Sequence, residues 1–291
     1  MATFHLPLVE DSMYKLNPGP VTWIMLREIH GKQTMSSHTR ESLAKDQTTS
    51  YSTHKLQKLL RHIDKLRMTL KDETPAFVAI SETWLDSTVH NIEVDIGGYK
   101  VETLDHNRHG GGICLYIADR IKCKRTAELE SCGFEILWID VKIGQTYLAH
   151  GYVYRALNSN LGIFDHLHDI IREIKRSGKQ KVNLIGDFNC DYLNTSYHQT
   201  QRLNEFLNIN HLKQLILTPT RITQTSSSLI DLITTTVPNL FNKSGTLSNS
   251  FSDHFPTNGV IKGKTNEHKH KLITTRKYDQ DRVEAFKKDL S

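Results

Sequence analysis

Leu56, Leu59, Leu60, Ile63, Leu66 and Leu70 recur at three- and four-residue spacing with Lys and Arg between them. That period predicts an amphipathic helix, most of it a core-packing face with a basic outer side. Pro75 ends it, and Phe77-Val78-Ala79-Ile80 predicts a buried strand running out at Glu82. Further strands are predicted at Ile113–Ile117, behind Gly110-Gly111-Gly112, at 134–141, at 147–154 and at Val182–Ile185. A late strand is predicted over Ser228–Ile233. Between them, Phe164, Leu167, Ile170, Ile171 and Ile174 line one face of a helix over about 161–176, and Leu203, Phe206 and Leu207 suggest another. Many short strands with a few intervening helices argue an α/β sandwich rather than a helical bundle.

The first fifty residues break this pattern. Asn17-Pro18-Gly19-Pro20 reads as a turn, and residues 32–53 are rich in Ser, Thr, Lys and Gln and nearly free of apolar residues. Such a stretch buries too little to offset its ordering entropy. Three segments follow: a poorly ordered extension over 1–50, one folded domain over 51–263, and a charged linker over 264–291.

Composition narrows the function classes only a little. The chain has 291 residues, 37% of them hydrophobic, and a net charge of +5 spread along its length. This permits a polyanionic partner without requiring one. The four cysteines, Cys114, Cys123, Cys132 and Cys190, form no CxxC pair. Their scatter argues against a zinc site and suits a reducing compartment. No apolar run approaches the roughly 20 residues of a membrane span, and the start lacks a signal-peptide pattern. The expectation is an intracellular protein with no membrane partner.

Three separated clusters carry chemistry: Glu82 after an apolar strand, Asp187 and Asn189 in Gly186-Asp187-Phe188-Asn189, and Asp253-His254 after Ser252. Carboxylate oxygens suit a hard divalent cation. Phosphodiester cleavage needs such a cation, a proton acceptor and donors aimed at the phosphate oxygens. Asp231 lies among apolar residues, so it is expected either to point away from them or to be buried with a partner.

Taken in order, the clusters resemble the endonuclease–exonuclease–phosphatase superfamily. More closely, they resemble the apurinic-type endonuclease domain of non-LTR (LINE-type) retrotransposons. The matching pieces are Ser81-Glu82-Thr83-Trp84-Leu85, Gly110-Gly111-Gly112-Ile113 behind Arg108, Tyr154-Arg155, Gly186-Asp187-Phe188-Asn189-Cys190-Asp191, Ser228-Leu229-Ile230-Asp231 and Ser252-Asp253-His254. Together they cover about 55–262. The resemblance implies a DNase I-like, four-layer αββα sandwich with its site at one edge of two sheets. It implies Glu82 as the main ligand of Mg²⁺, or of Mn²⁺ in its place, assisted by Asp253. It further implies Asp187 in proton transfer, Asn189 and Tyr154 on the scissile phosphate, and His254 on phosphate or in acid–base work, oriented by Asp231. The implied activity is a Mg²⁺-dependent nick in target DNA that leaves a 3′-hydroxyl for retrotransposition. A reverse transcriptase domain is the implied partner in a longer polyprotein, and the location is nuclear if the enzyme acts on chromatin.

One departure supports an alternative, a catalytically impaired nucleic-acid-binding relic of the same fold. The family begins with an apolar strand ending in a site Asn. Counted back from the Ile63-Asp64-Lys65-Leu66 helix, that strand falls on 48–54 and the Asn position on Lys55. This stretch is too polar for a sandwich core, and an ammonium beside Glu82 opposes a cation. Arg108, Lys122, Lys124 and Arg125 read either as a DNA-facing patch or as an ordinary solvated face.

Overall fold

The computed structural model describes residues 21–27 and 59–262, apart from 73–74, 107–109, 131–132, 144 and 248–252. The chain opens with β1 (Val21–Arg27) and resumes with α1 (Ile63–Asp72) and β2 (Phe77–Ser81). A short α2 (Asn91–Val94) leads to β3 (Tyr99–Leu104), β4 (Ile113–Ala118) and β5 (Cys123–Arg125). Next come β6 (Glu135–Ile143), β7 (Thr146–Tyr154), α3 (Ile163–Arg176), β8 (Val182–Asp187) and α4 (His198–Asn210). The short pieces β9 (Lys213–Gln214), β10 (Arg221–Ile222) and β11 (Ser227–Ser228) precede β12 (Asp231–Thr235), β13 (Phe241–Thr246) and β14 (Thr257–Ile261).

These strands form two six-stranded sheets and a separate β10–β11 hairpin. The first sheet runs β13-β14-β1-β2-β4-β3, the second β5-β6-β7-β8-β12-β9. Every residue of β2, β4, β8 and β12 is buried. Strands covered on both faces read as unbroken apolar runs, which is why these four stand out in the sequence. Each sheet holds one parallel pair, β1 with β2 and β7 with β8. A parallel pair needs a long crossover, and here each crossover carries a helix, α1 in the first and α3 in the second. Leu66 and Leu70 of α1 belong to the common core. On the other side Phe164 of α3 and Phe206 of α4 meet at a tilt with ring centres 5.6 Å apart, and Leu167, Ile171, Leu203 and Leu207 of the same helices are buried. Helices flanking two packed mixed sheets make the DNase I-like α/β sandwich.

The first strand departs from the sequence reading. It lies at 21–27, pairing Trp23 with Phe77 through Arg27 with Ser81, and Val21 with Ile261 on its other side. It is the third of six strands, so the domain begins upstream of residue 51. Val21-Thr22-Trp23-Ile24-Met25-Leu26 is itself β-prone and apolar. Counting back from α1 does not reach it, because the link from strand to helix is far longer than the few residues usual in a compact domain. Lys55 therefore does not end the first strand; it lies outside the described residues, as do 1–20, Arg108, Ser252 and the tail beyond 262. The late strand starts at Asp231 rather than Ser228, which belongs to β11.

Candidate active site

Register across the second sheet aligns four polar side chains in one row. Glu135 on β6 pairs with Tyr154 on β7, Tyr154 with Asp187 on β8, and Asp187 with Asp231 on β12. Directly opposed residues on paired strands share a face. At about 4.8 Å per strand the row spans roughly 14 Å. The close approach of β7 and β8 is sterically demanding. A Cβ on Gly186 would stand 1.9 Å from the Val153 carbonyl oxygen, so only glycine fits before Asp187.

The first sheet supplies the facing groups. Glu82 follows β2, and its Oε1 accepts from the Tyr154 hydroxyl at 2.8 Å. His254 precedes β14, and its Nδ1 stands 2.8 Å from Asp231 Oδ2, with both residues buried. A carboxylate there fixes the proton on Nδ1 and leaves Nε2 as the second functional nitrogen. Each of these contacts joins one sheet to the other.

Two site residues adopt left-handed backbone, Glu82 at φ 54° and Asn189 at φ 45°. For non-glycine residues this costs about 1–2 kcal/mol each and persists where the surroundings enforce it. At Glu82 the enforcement comes from the glycine-rich strand entry. Trp84 N donates to Gly111 O at 3.0 Å and Thr83 N to Gly112 O at 3.4 Å. Gly112 has φ +90°, and a Cβ there would meet Thr83 Oγ1 at 2.4 Å. Glu135 braces the same segment, accepting from Gly112 N at 2.5 Å and lying 3.3 Å from His106 Nδ1. Burial, aided by the nearby Glu82 charge, pushes the Glu135 carboxyl up against the opposing pull of Gly112 N–H and His106.

Asn189 is held by a reciprocal clasp with Arg155. Arg155 N donates to Asp187 O at 2.9 Å, and Arg155 Nη1 reaches the carbonyls of Phe188 and Asn189 at 3.2 and 3.3 Å. In return Asn189 Nδ2 donates to Arg155 O at 2.8 Å and to Asp187 Oδ2 at 3.2 Å. Asn189 N donates to Asp187 Oδ1 at 2.9 Å, an Asx turn. In this orientation the amide nitrogen faces protein, and Oδ1 is the atom that remains to face a ligand.

The structure thus brings Glu82 to Tyr154, Asp187 to Asn189 and Asp231 to His254. Asp253 stands apart from those contacts: its exposed carboxylate accepts from Arg221 Nε at 2.8 Å. Burial tends to raise the Asp253 carboxyl, and the Arg221 hydrogen bond with the His254 and Arg221 charges outweighs it, so the net shift is downward. Of the basic patch, Arg125 is committed to Glu130 and Glu102 at 2.7 and 3.1 Å, which makes it a structural ion pair. Glu135 lies outside the motifs that the sequence marks as the site, and the Tyr154-Arg155 motif does not reveal the clasp of Arg155. A carboxylate entering the apolar run Ile136-Leu137-Trp138 was the signal for the first.

Among the described residues, no group of three or more His, Cys, Asp or Glu is arranged to hold a metal. Glu82, Asp187 and Asn189 offer oxygen donors, the type that suits a hard cation completed by water and phosphate rather than zinc.

Residues 148–258 match a family model described as endonuclease-reverse transcriptase. No curated protein sequence matches the chain. Among solved structures, the endonuclease domain of TRAS1, a telomere-specific non-LTR retrotransposon, superposes with TM-score 0.58 at 12% identity, over 85% of this chain and 99% of that one. The AP endonuclease LMAP from Leishmania major gives 0.62 at 11% identity, over 84% and 88%. The 3′ phosphatase NExo from Neisseria, bound to product DNA hairpin, gives 0.55 at 13%, over 83% and 99%. The fold is that of the endonuclease–exonuclease–phosphatase superfamily. In fold the chain is similar to the endonuclease domain of a non-LTR retrotransposon. No helix among the described residues is long and apolar enough to cross a membrane.

Proposed function

We propose that this chain is a divalent-metal-dependent DNA endonuclease that nicks one strand and leaves a 3′-hydroxyl. The observation that carries the reading is the row Tyr154, Asp187 and Asp231 across the second sheet, with Glu82 and His254 brought against its members from the first. Glu82, with Asn189 Oδ1 within the same set of oxygen donors, would hold Mg²⁺ or Mn²⁺. When bound, the ion would offset charge developing on the phosphate and leaving oxygen.

The remaining work falls to the chain's own groups. Asp187, held on both carboxylate oxygens by Asn189, accepts the proton of the attacking water. His254, with Nδ1 held by Asp231, presents Nε2 to the phosphate. Tyr154 orients Glu82. A 3′ phosphatase and an AP endonuclease share the fold, and the Ser81-Glu82-Thr83-Trp84-Leu85 motif together with the endonuclease-reverse transcriptase match favours the retrotransposon form. The proposed target is double-stranded DNA, in the nucleus if the enzyme acts on chromatin, and a reverse transcriptase domain is the partner that the family match suggests.

The test is conversion of supercoiled plasmid to open circle with Mg²⁺, with EDTA and Glu82→Ala as controls, followed by polymerase extension from the nick. Extension requires a 3′-hydroxyl. No relaxation by folded protein at any Mg²⁺ or Mn²⁺ concentration would sink the enzyme reading and leave the nucleic-acid-binding relic.

A further inference from the structure

The β10–β11 hairpin stands outside both sheets. It is fastened to the site by an antiparallel bridge between Arg221 and His254. Two backbone bonds frame the bridge, Ile222 N to Asp253 O at 3.1 Å and Phe255 N to Thr220 O at 2.7 Å. The bridge sets Arg221 beside His254, whose Nδ1 reaches Asp231.

The other well-placed arginines are spent on structure. Arg67, Arg125, Arg155 and Arg202 each have both terminal nitrogens occupied by carbonyls or carboxylates. Arg221 differs. Its Nε is fixed on Asp253 Oδ2 at 2.8 Å, its side chain is 42% exposed, and Nη1 and Nη2 make no hydrogen bond among the described residues. One anchored bond sets the plane of the guanidinium and leaves a two-nitrogen edge turned outward. That edge matches the spacing of two phosphate oxygens.

We propose that Arg221 is a phosphate-binding residue that grips a backbone phosphate of the DNA strand beside the His254 end of the site, with Asp253 as its positioning partner. The inference rests on the nuclease reading for its choice of polyanion. It gives Asp253 a different task from the metal-assisting one that the sequence resemblance implies.

The test is fluorescence anisotropy of a labelled duplex of about 20 base pairs, in EDTA so that nothing is cut, across about 50–200 mM NaCl. Arg221→Gln is compared with Lys142→Gln, which removes the same charge seven residues along β6 from Glu135. Arg221→Gln is expected to weaken binding about tenfold and to reduce the slope of log K against log salt by about one. Arg221→Lys is expected to keep the slope and lose several-fold in affinity, because an ammonium lacks the fork. Lys142→Gln is expected to match the parent. Melting temperatures verify folding, and a half-exposed residue should leave them unchanged. Equal slopes and affinities for the two Gln variants would overturn the inference. Nicking is scored separately. Arg221-dependent binding without nicking supports this inference and removes only the catalytic reading, and nicking with Arg221-independent binding does the reverse.

Discussion

Tyr154 and Glu82 belong to different sheets, and the hydroxyl of the first donates to Oε1 of the second at 2.8 Å. Tyr154 is buried, so its donor has been withdrawn from water and its bond sets where the Glu82 carboxylate points. Tyr154→Phe is therefore expected to raise the Mg²⁺ concentration needed for half-maximal nicking several-fold. The cost in stability should be small, about 1 kcal/mol for one hydrogen bond. A Mg²⁺ titration of plasmid nicking checks this; superimposable curves for parent and variant would remove Tyr154 from the positioning of Glu82.

Asp231 and His254 form the second contact between sheets. Asp231→Asn keeps shape and loses the carboxylate, so the imidazole loses the partner that fixes its tautomer and orientation. Nicking should fall on the order of 10²–10⁴-fold, with far-UV circular dichroism unchanged. A folded Asp231→Asn protein that nicks at the parent rate would exclude this pair from the mechanism.

The position of β1 leads to a truncation experiment. A chain begun at residue 51 lacks the strand that joins β14 to β2. Two interior strands then become edges with unpaired N–H and C=O groups, a template for aggregation. Such a chain should be largely insoluble or melt well below one begun at residue 21. Equal melting temperatures for the two would show that β1 contributes nothing to the domain.

His150 gives a pH dependence of stability. It is fully buried, its ring stacked 6.2 Å from Phe77, and burial pushes its pKa down to about 3 from 6.5. Below about pH 6.5 the unfolded chain binds a proton that the folded one refuses until about pH 3. Stability is thus whole above pH 7 and falls with pH across that window. Between pH 8 and 5 the contribution lost is roughly 2 kcal/mol. Urea midpoints at pH 8, 6.5 and 5 should fall more steeply for the parent than for His150→Gln. Parallel lines would mean that His150 titrates normally in the folded state.

The doubly buried strands were legible because burial on both faces leaves nothing but apolar residues, as in Phe77–Ile80 and Ile113–Ile117. β13 was not, because Asn242, Lys243 and Ser244 are the polar surface of an edge strand. β1 was readable as an apolar run but unreachable by counting from α1, since the crossover length is not encoded locally. Glu82, Asp187, Asn189, Asp231 and His254 were found through motif order. What order cannot convey is pairing. That Glu135 stands beside Tyr154, or Arg221 beside His254, depends on strand register between segments about 20 and 33 residues apart, which follows only from the assembled sheets.

Neither sheet alone owns a complete set of working groups. Glu82 and His254 flank strands of one, and Tyr154, Asp187 and Asp231 belong to the other. A nascent or half-folded chain could form either sheet and still be harmless to any DNA it met. Cutting power arrives only with the last act of folding, when the two layers dock in register. A nuclease built this way is its own safety catch, and small losses of packing between the layers should disarm it before they unfold it.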